Sequence, residues 1–284
     1  MGQGSQVTSA RRLPGGISSA VHALTVQRGG RTEQVVLRRF VREDWLAREP
    51  DLATHEAVAL RIVEGGGLPA PRLIAVDDDG SQAGAPSVLS TLLIGRPVIV
   101  PGDMDSWLRR MAEALPVIHA IRPSPTQLPY SYKPYYDIVG LRLPEWSRCP
   151  DVWTKALAAA GERRPSADEH LIHRDYHPAN ILWQRGHITG IVDWVNSCRG
   201  PAGVDIGHCR RNLAILHGVE VADRFLDECL RWANYDPYWD VVTLLDALPG
   251  PQPFAGWSAL GADVTLETVR GRADGYVASL VERL

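Results

Sequence analysis

Hydrophobic and polar positions change their rhythm part-way along the chain. Over the first third, alternation of period two predicts strands at Val21 to Arg28 and Gln34 to Phe40, joined as a hairpin by Gly29-Gly30. Leu13 to Ser19, ahead of the hairpin, reads as a loop of small residues. Residues 43–64 carry a helical period, with Leu60 and Val63 among the apolar positions, and stop at Gly65-Gly66-Gly67. Two more strands, 72–76 and 87–93, flank the Asp77-Asp78-Asp79-Gly80 turn. Beyond Gly95 the period is mostly helical: 105–121, 152–160, 205–217, 219–233, 237–247 and 265–283. Two short apolar strands, 181–183 and 188–194, turn at Arg185-Gly186, and a Pro- and Tyr-rich stretch runs from Leu128 to Tyr136. The pattern is α+β, with a small strand-rich lobe over residues 1–93 and a larger, mainly helical one over 94–284.

Composition narrows the class. The 284 residues are 45% hydrophobic and 22% charged, enough apolar side chain to bury a core and exclude disorder. No apolar run approaches about 18 residues, which excludes a membrane helix, and the polar start lacks the apolar stretch of a signal peptide. Four cysteines with no C-x-x-C pair make no disulfide framework, so the expected setting is the cytoplasm, with Cys198 and Cys209 inert. A net charge of −3 argues against bulk nucleic-acid binding, which needs a basic stripe to release counterions. Charge matters in two further ways. Only two of the 30 basic residues are lysines, Lys133 and Lys155, and neither lies in the first lobe. Residues 201–250 hold eight acids against four arginines, which reads as a solvated helical face or as a wall suited to a cationic molecule.

The informative chemistry is His173-Arg174-Asp175-Tyr176-His177-Pro178-Ala179-Asn180, followed by Ile191-Val192-Asp193-Trp194. Asn180 comes five residues after Asp175, and Asp193 eighteen after it, across a short hairpin. Oxygen donors on the two sides of a hairpin can converge at one end, where a hard cation such as Mg²⁺ takes one or two protein ligands and leaves the rest to phosphates and water. A further carboxylate beside them can orient a hydroxyl and accept its proton. A histidine-rich alternative is a metal cluster of His173, Asp175 and His177.

This run resembles the His-x-Asp-x-x-x-x-Asn loop and Asp-Trp metal motif of the aminoglycoside phosphotransferase and choline kinase branch of the protein-kinase-like superfamily. Gly200-Pro201-Ala202-Gly203-Val204-Asp205-Ile206-Gly207 is similar to that branch's Gly-x-Pro…Asp-Leu-Ala stretch, and the Ala-Pro-Glu signature of protein kinases is absent. The resemblance implies a bilobal protein-kinase-like fold with ATP or GTP in the interlobe cleft. It implies Asp175 as the catalytic carboxylate, Asn180 and Asp193 as Mg²⁺ ligands, and His173 and Asp205 as structural support for the loop. Gly15, Gly16, Ser18 and Ser19 would cap the phosphates, and Ser90, Thr91 and Leu93 would meet the base. The family's strand lysine, tied to a helix glutamate, is missing. Arg38 stands in its place, or Arg39 if the register slips by one, with Glu56 as the partner.

The partners so implied are a nucleoside triphosphate and a small-molecule hydroxyl acceptor. An antibiotic acceptor leads, aminoglycoside-like on the acidic segment or macrolide-like on Trp232, Tyr235, Tyr238 and Trp239. A metabolic amino alcohol or sugar comes second. From another class, the missing lysine suggests a nucleotide-binding regulator without catalysis.

Overall fold

The computed structural model describes residues 4–13, 19–162, 165–248, 257 and 261–284. The predicted hairpin forms as β2 (Ala20–Arg28) and β3 (Arg31–Arg39), paired from Ala20 with Arg39 to Arg28 with Arg31. Gly29 and Gly30 turn between them at φ 54° and 79°, a left-handed pair that glycine adopts without steric cost. Edge strand β1 (Ser5–Arg12) joins β2, while β4 (Leu73–Asp77) and β5 (Ser87–Thr91) extend the other side, giving an antiparallel sheet in the order β1-β2-β3-β5-β4. Nothing in the hydrophobic pattern announces β1. It is exposed along nearly its whole length and held by ladder hydrogen bonds to β2, so it has no buried face to imprint on the sequence.

The helical stretch at 43–64 divides into α1 (Glu43–Leu46) and α2 (Leu52–Glu64). Pro50 lies at the break, lacks an amide donor and disfavours helical backbone at Glu49, so the helix restarts after it. α2 buries Leu52, Ala53, Leu60 and Val63, and its His55 donates at Nε2 to the Ser197 carbonyl at 2.6 Å while stacking on Tyr130 at 3.5 Å. That contact ties the helix to the segment after residue 193.

A short strand β6 (Arg96–Pro97) and the pair β8 (Ile181–Gln184) and β9 (His187–Ile191) make a three-stranded antiparallel sheet. β7 (His170–Ile172) pairs with β10 (Cys198–Gly200). The strand expected over 188–194 stops at Ile191, because the backbone turns left-handed at Asp193. Around these pack α3 (Met104–His119), α4 (Pro150–Glu162), α5 (Ala202–His217), α6 (Val219–Cys229), α7 (Tyr238–Leu245) and α8 (Leu266–Val281). The architecture is the expected α+β one. No helix among the described residues is long and apolar enough to cross a membrane.

α5 runs through the middle of the helical layer. Eleven of its sixteen residues are buried, so it shows no polar face. Gly203 and Gly207 let α7 come close: a Cβ on Gly207 would lie 2.6 Å from the Trp239 carbonyl oxygen. The buried Arg210 of α5 is neutralised from α7 by Asp240, which also accepts from Tyr235 at 2.7 Å and Tyr276 at 3.0 Å. Asp223 takes a second Arg210 nitrogen at 2.8 Å and both Arg283 amino groups.

These partners account for much of the acidic 201–250 segment. Asp205 lies buried, and Asp246 receives the Tyr135 and Tyr136 amides, at 2.5 and 3.2 Å. Glu228 pairs with Arg231 one helical turn on. The aromatics of the segment also turn inward: Trp239 is buried against Tyr132 and Tyr238.

Removing one partner of a buried ion pair strands the other charge. Asp240→Ala is therefore expected to lower unfolding free energy by about 3–5 kcal/mol, whereas Asp223→Ala, whose side chain is partly exposed, should cost less than half as much. Urea unfolding of the two variants side by side checks the order.

Candidate active site

The loop between β7 and β8 is held by one buried carboxylate. Asp205, at the start of α5, accepts the backbone amides of His173 at 2.9 Å and Arg174 at 2.7 Å, and His119 Nε2 lies 3.0 Å away. Burial opposes the charge on Asp205, but the hydrogen bonds and His119 outweigh it and keep its carboxyl below the usual range. Arg174 between these contacts has φ 67°, a conformation costing a non-glycine residue about 1–3 kcal/mol. Two backbone hydrogen bonds to a carboxylate offset that strain. The Arg174 side chain lies over the Tyr135 ring at 3.9 Å and the Tyr132 ring at 5.0 Å, and donates to the Lys133 carbonyl. The tyrosine-rich stretch thus packs onto the loop.

His173 is fully buried, its Nε2 donating to the Val192 carbonyl at 2.9 Å and its Nδ1 facing the Asp175 amide at 3.3 Å. Both ring nitrogens are used within the loop, and burial lowers its pKa. The His173–Asp175–His177 cluster therefore does not assemble, because His173 turns the other way. The group that does assemble is Asp175, His177 and His208, one ligand-type atom from each lying within 4.8 Å of the others. Asp175 Oδ1 is 3.4 Å from His177 Nε2 and 3.1 Å from His208 Nε2; Asp175 Oδ2 accepts from Asn180 Nδ2 at 3.1 Å. The Ala179 amide donates to His177 Nδ1 at 3.2 Å, which leaves Nε2–H to face Asp175.

Burial works against the Asp175 charge too, yet His177 and His208 prevail and hold the carboxyl well below the usual range. Burial and the neighbouring Arg211 push His208 down to about 4, so its ring is neutral at pH 7 and supports Asp175 as a dipole.

Asn180 hangs between the two sides of the hairpin: its Nδ2 also donates to the Asp175 carbonyl at 2.9 Å, and its own carbonyl accepts the Val192 amide at 2.9 Å. One residue further, Asp193 is left-handed (φ 68°, ψ 59°) and accepts at Oδ1 from Arg38 Nη1 at 2.6 Å. The same nitrogen reaches Glu56 Oε1 at 3.0 Å, and Arg38 Nε donates to Ser19 Oγ at 2.9 Å. Arg38, not Arg39, is the arginine in this junction. Burial opposes its charge, but Asp193 and Glu56 overcome it and raise the pKa. Burial raises Glu56 in turn, with Arg38 pulling the other way. Asp193 and the Asn180 amide oxygen are hard donors of the kind a Mg²⁺ ion accepts.

The remaining expected residues are less concentrated. Ser90 is buried in β5, Thr91 Oγ1 accepts the Arg72 amide at 2.9 Å, and Leu93 sits beyond the strand. Gly15, Gly16 and Ser18 lie outside the described residues. Sequence reasoning missed His208 and Arg211. A signal was present: they follow Asp205 at successive steps of three along α5, where such residues are neighbours.

A left-handed aspartate after a hairpin, a carboxylate-amide loop before it and a cation bridging strand, helix and hairpin accompany a protein-kinase-like fold. The chain belongs to the phosphotransferase enzyme family, whose pattern matches residues 9–245. In sequence it matches the homoserine kinases of Pseudomonas aeruginosa strains LESB58 and UCBPP-PA14 at 27% identity over 152 residues, covering 50% of this chain and 47% of each relative. The chain thus spans about half the length of the curated relatives it matches.

Among solved structures, the fold is similar to a thermostable mutant of aminoglycoside phosphotransferase APH(4)-Ia in ternary complex with ADP and hygromycin B. The TM-score is 0.65 at 15% identity, covering 98% of this chain and 94% of that one. It is similar to amicoumacin kinase hAmiN in complex with AMP-PNP, Ca²⁺ and Ami, with TM-score 0.60, 15% identity and coverage of 98% and 89%. Macrolide 2′-phosphotransferase MphH from Brachybacterium faecium matches with TM-score 0.55, 16% identity and coverage of 95% and 91%.

Asp205→Ala leaves two backbone amides without an acceptor. The expected loss is about 2–5 kcal/mol of stability, and in native-state hydrogen exchange the amides of residues 173 and 174 should lose protection before the rest of the core.

Proposed function

We propose that this protein is a Mg²⁺-dependent small-molecule phosphotransferase that moves the γ-phosphate of ATP or GTP to a hydroxyl acceptor. The observation that carries the reading is the convergence of the Asp175–Asn180 loop with Asp193 and its Arg38–Glu56 junction. In this reading residues 1–93 form the nucleotide-binding lobe and 94–284 the catalytic and acceptor-binding lobe. The reaction belongs to the cytoplasm, where nucleoside triphosphates are abundant.

Asp175 orients the acceptor hydroxyl and takes up its proton as the oxygen attacks. His177 and His208 hold the carboxylate ionised and fix its direction. Asn180 and Asp193 would hold Mg²⁺, which would supply neutralisation of phosphate charge. Arg38 supplies the cation that faces the phosphates, kept in place by Glu56 and Ser19. The Ser90–Leu93 backbone meets the base, and Gly15, Gly16 and Ser18 are assigned to the phosphates by the family resemblance alone. Positioning and charge neutralisation provide most of the rate enhancement.

Likeness to aminoglycoside, amicoumacin and macrolide phosphotransferases supports an antibiotic acceptor. The sequence match to homoserine kinases supports a second reading, phosphorylation of a small metabolic alcohol. The intact set of Asp175, Asn180 and Asp193 speaks against an inactive regulator.

Nucleotide consumption across a panel of aminoglycosides, macrolides and small alcohols, with Mg²⁺ and either ATP or GTP, tests the reading. Asp175→Asn should lower acceptor-stimulated turnover about a hundred- to ten-thousandfold with nucleotide affinity retained; near-normal turnover by that variant would sink the assignment. Arg38→Ala should instead raise the apparent KM for nucleotide at least about tenfold, measured in the same assay, with Arg38→Lys recovering part of the loss.

A further inference from the structure

The charge of the acceptor can be read from one arginine. Arg38, Arg174 and Arg210 each have a carboxylate within 4.0 Å. Arg211, the next residue on α5, has none among the described residues, and the segments outside them contain neither Asp nor Glu. Its Nη1 donates to the Thr243 carbonyl at 3.0 Å, which aims the guanidinium, and its Nε has no hydrogen-bond partner. Burial lowers the Arg211 pKa, with Asp175 and Asp246 acting against that from a distance. A largely buried guanidinium without an adjacent anion is costly, and a planar fork is the group that binds a carboxylate through two parallel hydrogen bonds.

Its position says which anion. Arg211 Nη2 is 3.3 Å from His208 Nε2, and that nitrogen is 3.1 Å from Asp175 Oδ1. The guanidinium and the carboxylate that receives the acceptor's proton in the proposed function thus approach the same imidazole nitrogen. Within the acidic 201–250 segment, Asp205 is engaged by the loop, Asp240 and Asp223 by Arg210, and Asp246 by the Tyr135 and Tyr136 amides, while Glu220 and Asp227 are exposed on α6.

We propose that Arg211 binds a carboxylate carried by the acceptor itself, so that the substrates are small hydroxy acids whose reacting hydroxyl lies about two to four carbons from the carboxylate. The inference rests on the phosphotransferase reading and narrows it.

The test compares acceptors that differ only in charge: L-homoserine against L-homoserinamide, and γ-hydroxybutyrate against its amide, with Mg-ATP and Mg-GTP. The wild-type protein should prefer each acid by about ten- to a hundredfold in kcat/KM. Arg211→Gln should collapse that preference mainly through KM for the acid, and Arg211→Lys should keep part of it. Equal turnover of acid and amide by the wild type overturns the proposal, and this ratio decides alone if the variants do not fold. Turnover of an aminoglycoside or macrolide but of neither acid also overturns it while leaving the phosphotransferase intact. If Arg211→Gln lowers kcat equally for acid and amide, the guanidinium serves the transferred phosphoryl group and the proposal is wrong. If no acceptor in either panel stimulates turnover, the phosphotransferase reading falls and takes this one with it.

Discussion

The geometry of the site depends on a carboxylate that faces away from it. Asp205 is fully buried and accepts two consecutive backbone amides, one of them from a left-handed arginine. A buried carboxylate is tolerable only when its lone pairs are filled, and two main-chain donors plus His119 fill them. In return, the loop carrying Asp175 cannot relax to an ordinary backbone conformation. With α5 packed on every side, the loop inherits the rigidity of the helical core.

The second constraint is the Arg38 junction. An ammonium in this place would be a compact point charge, whereas the guanidinium spreads donors over a planar fork. Here that fork meets Ser19, Glu56 and Asp193 at once, so strand, helix and hairpin are joined by one side chain. Arg38 thus connects the sheet to Asp193 through a single planar group. His55, next to Glu56 on α2, adds an independent tie through Ser197.

Charge along the sequence and charge around the site differ. The acidic excess over 201–250 is real in composition, yet folding uses it to neutralise Arg210, to pin the loop and to hold the tyrosine-rich stretch. What remains beside Asp175 is two imidazoles and an arginine. A local charge count carries no information about which side chains point at one another, and in a helix buried all round neighbouring residues serve different ends: Arg210 completes the core, Arg211 reaches toward the site.

Much of the architecture was legible because it is local. The Gly29-Gly30 hairpin, the helical periods and the Asp175-x-x-x-x-Asn180 spacing with Asp193 beyond are each written within a few residues, where backbone sterics and side-chain alternation act. The helix break at Pro50 was not read from the sequence, because the apolar period on either side of it continues as one helix over 43–64. Exposed β1 had no burial pattern to show. The sequence by itself determined the α+β layout and the loop that carries the site's polar groups. Only the tertiary structure decided that Arg38 and not Arg39 meets Asp193, that His208 rather than His173 joins Asp175, and that Asp205, Asp240 and Asp246 turn inward. Those outcomes depend on register and packing between elements 19 to 155 residues apart, and contacts of that range are set by the whole core rather than by any one segment.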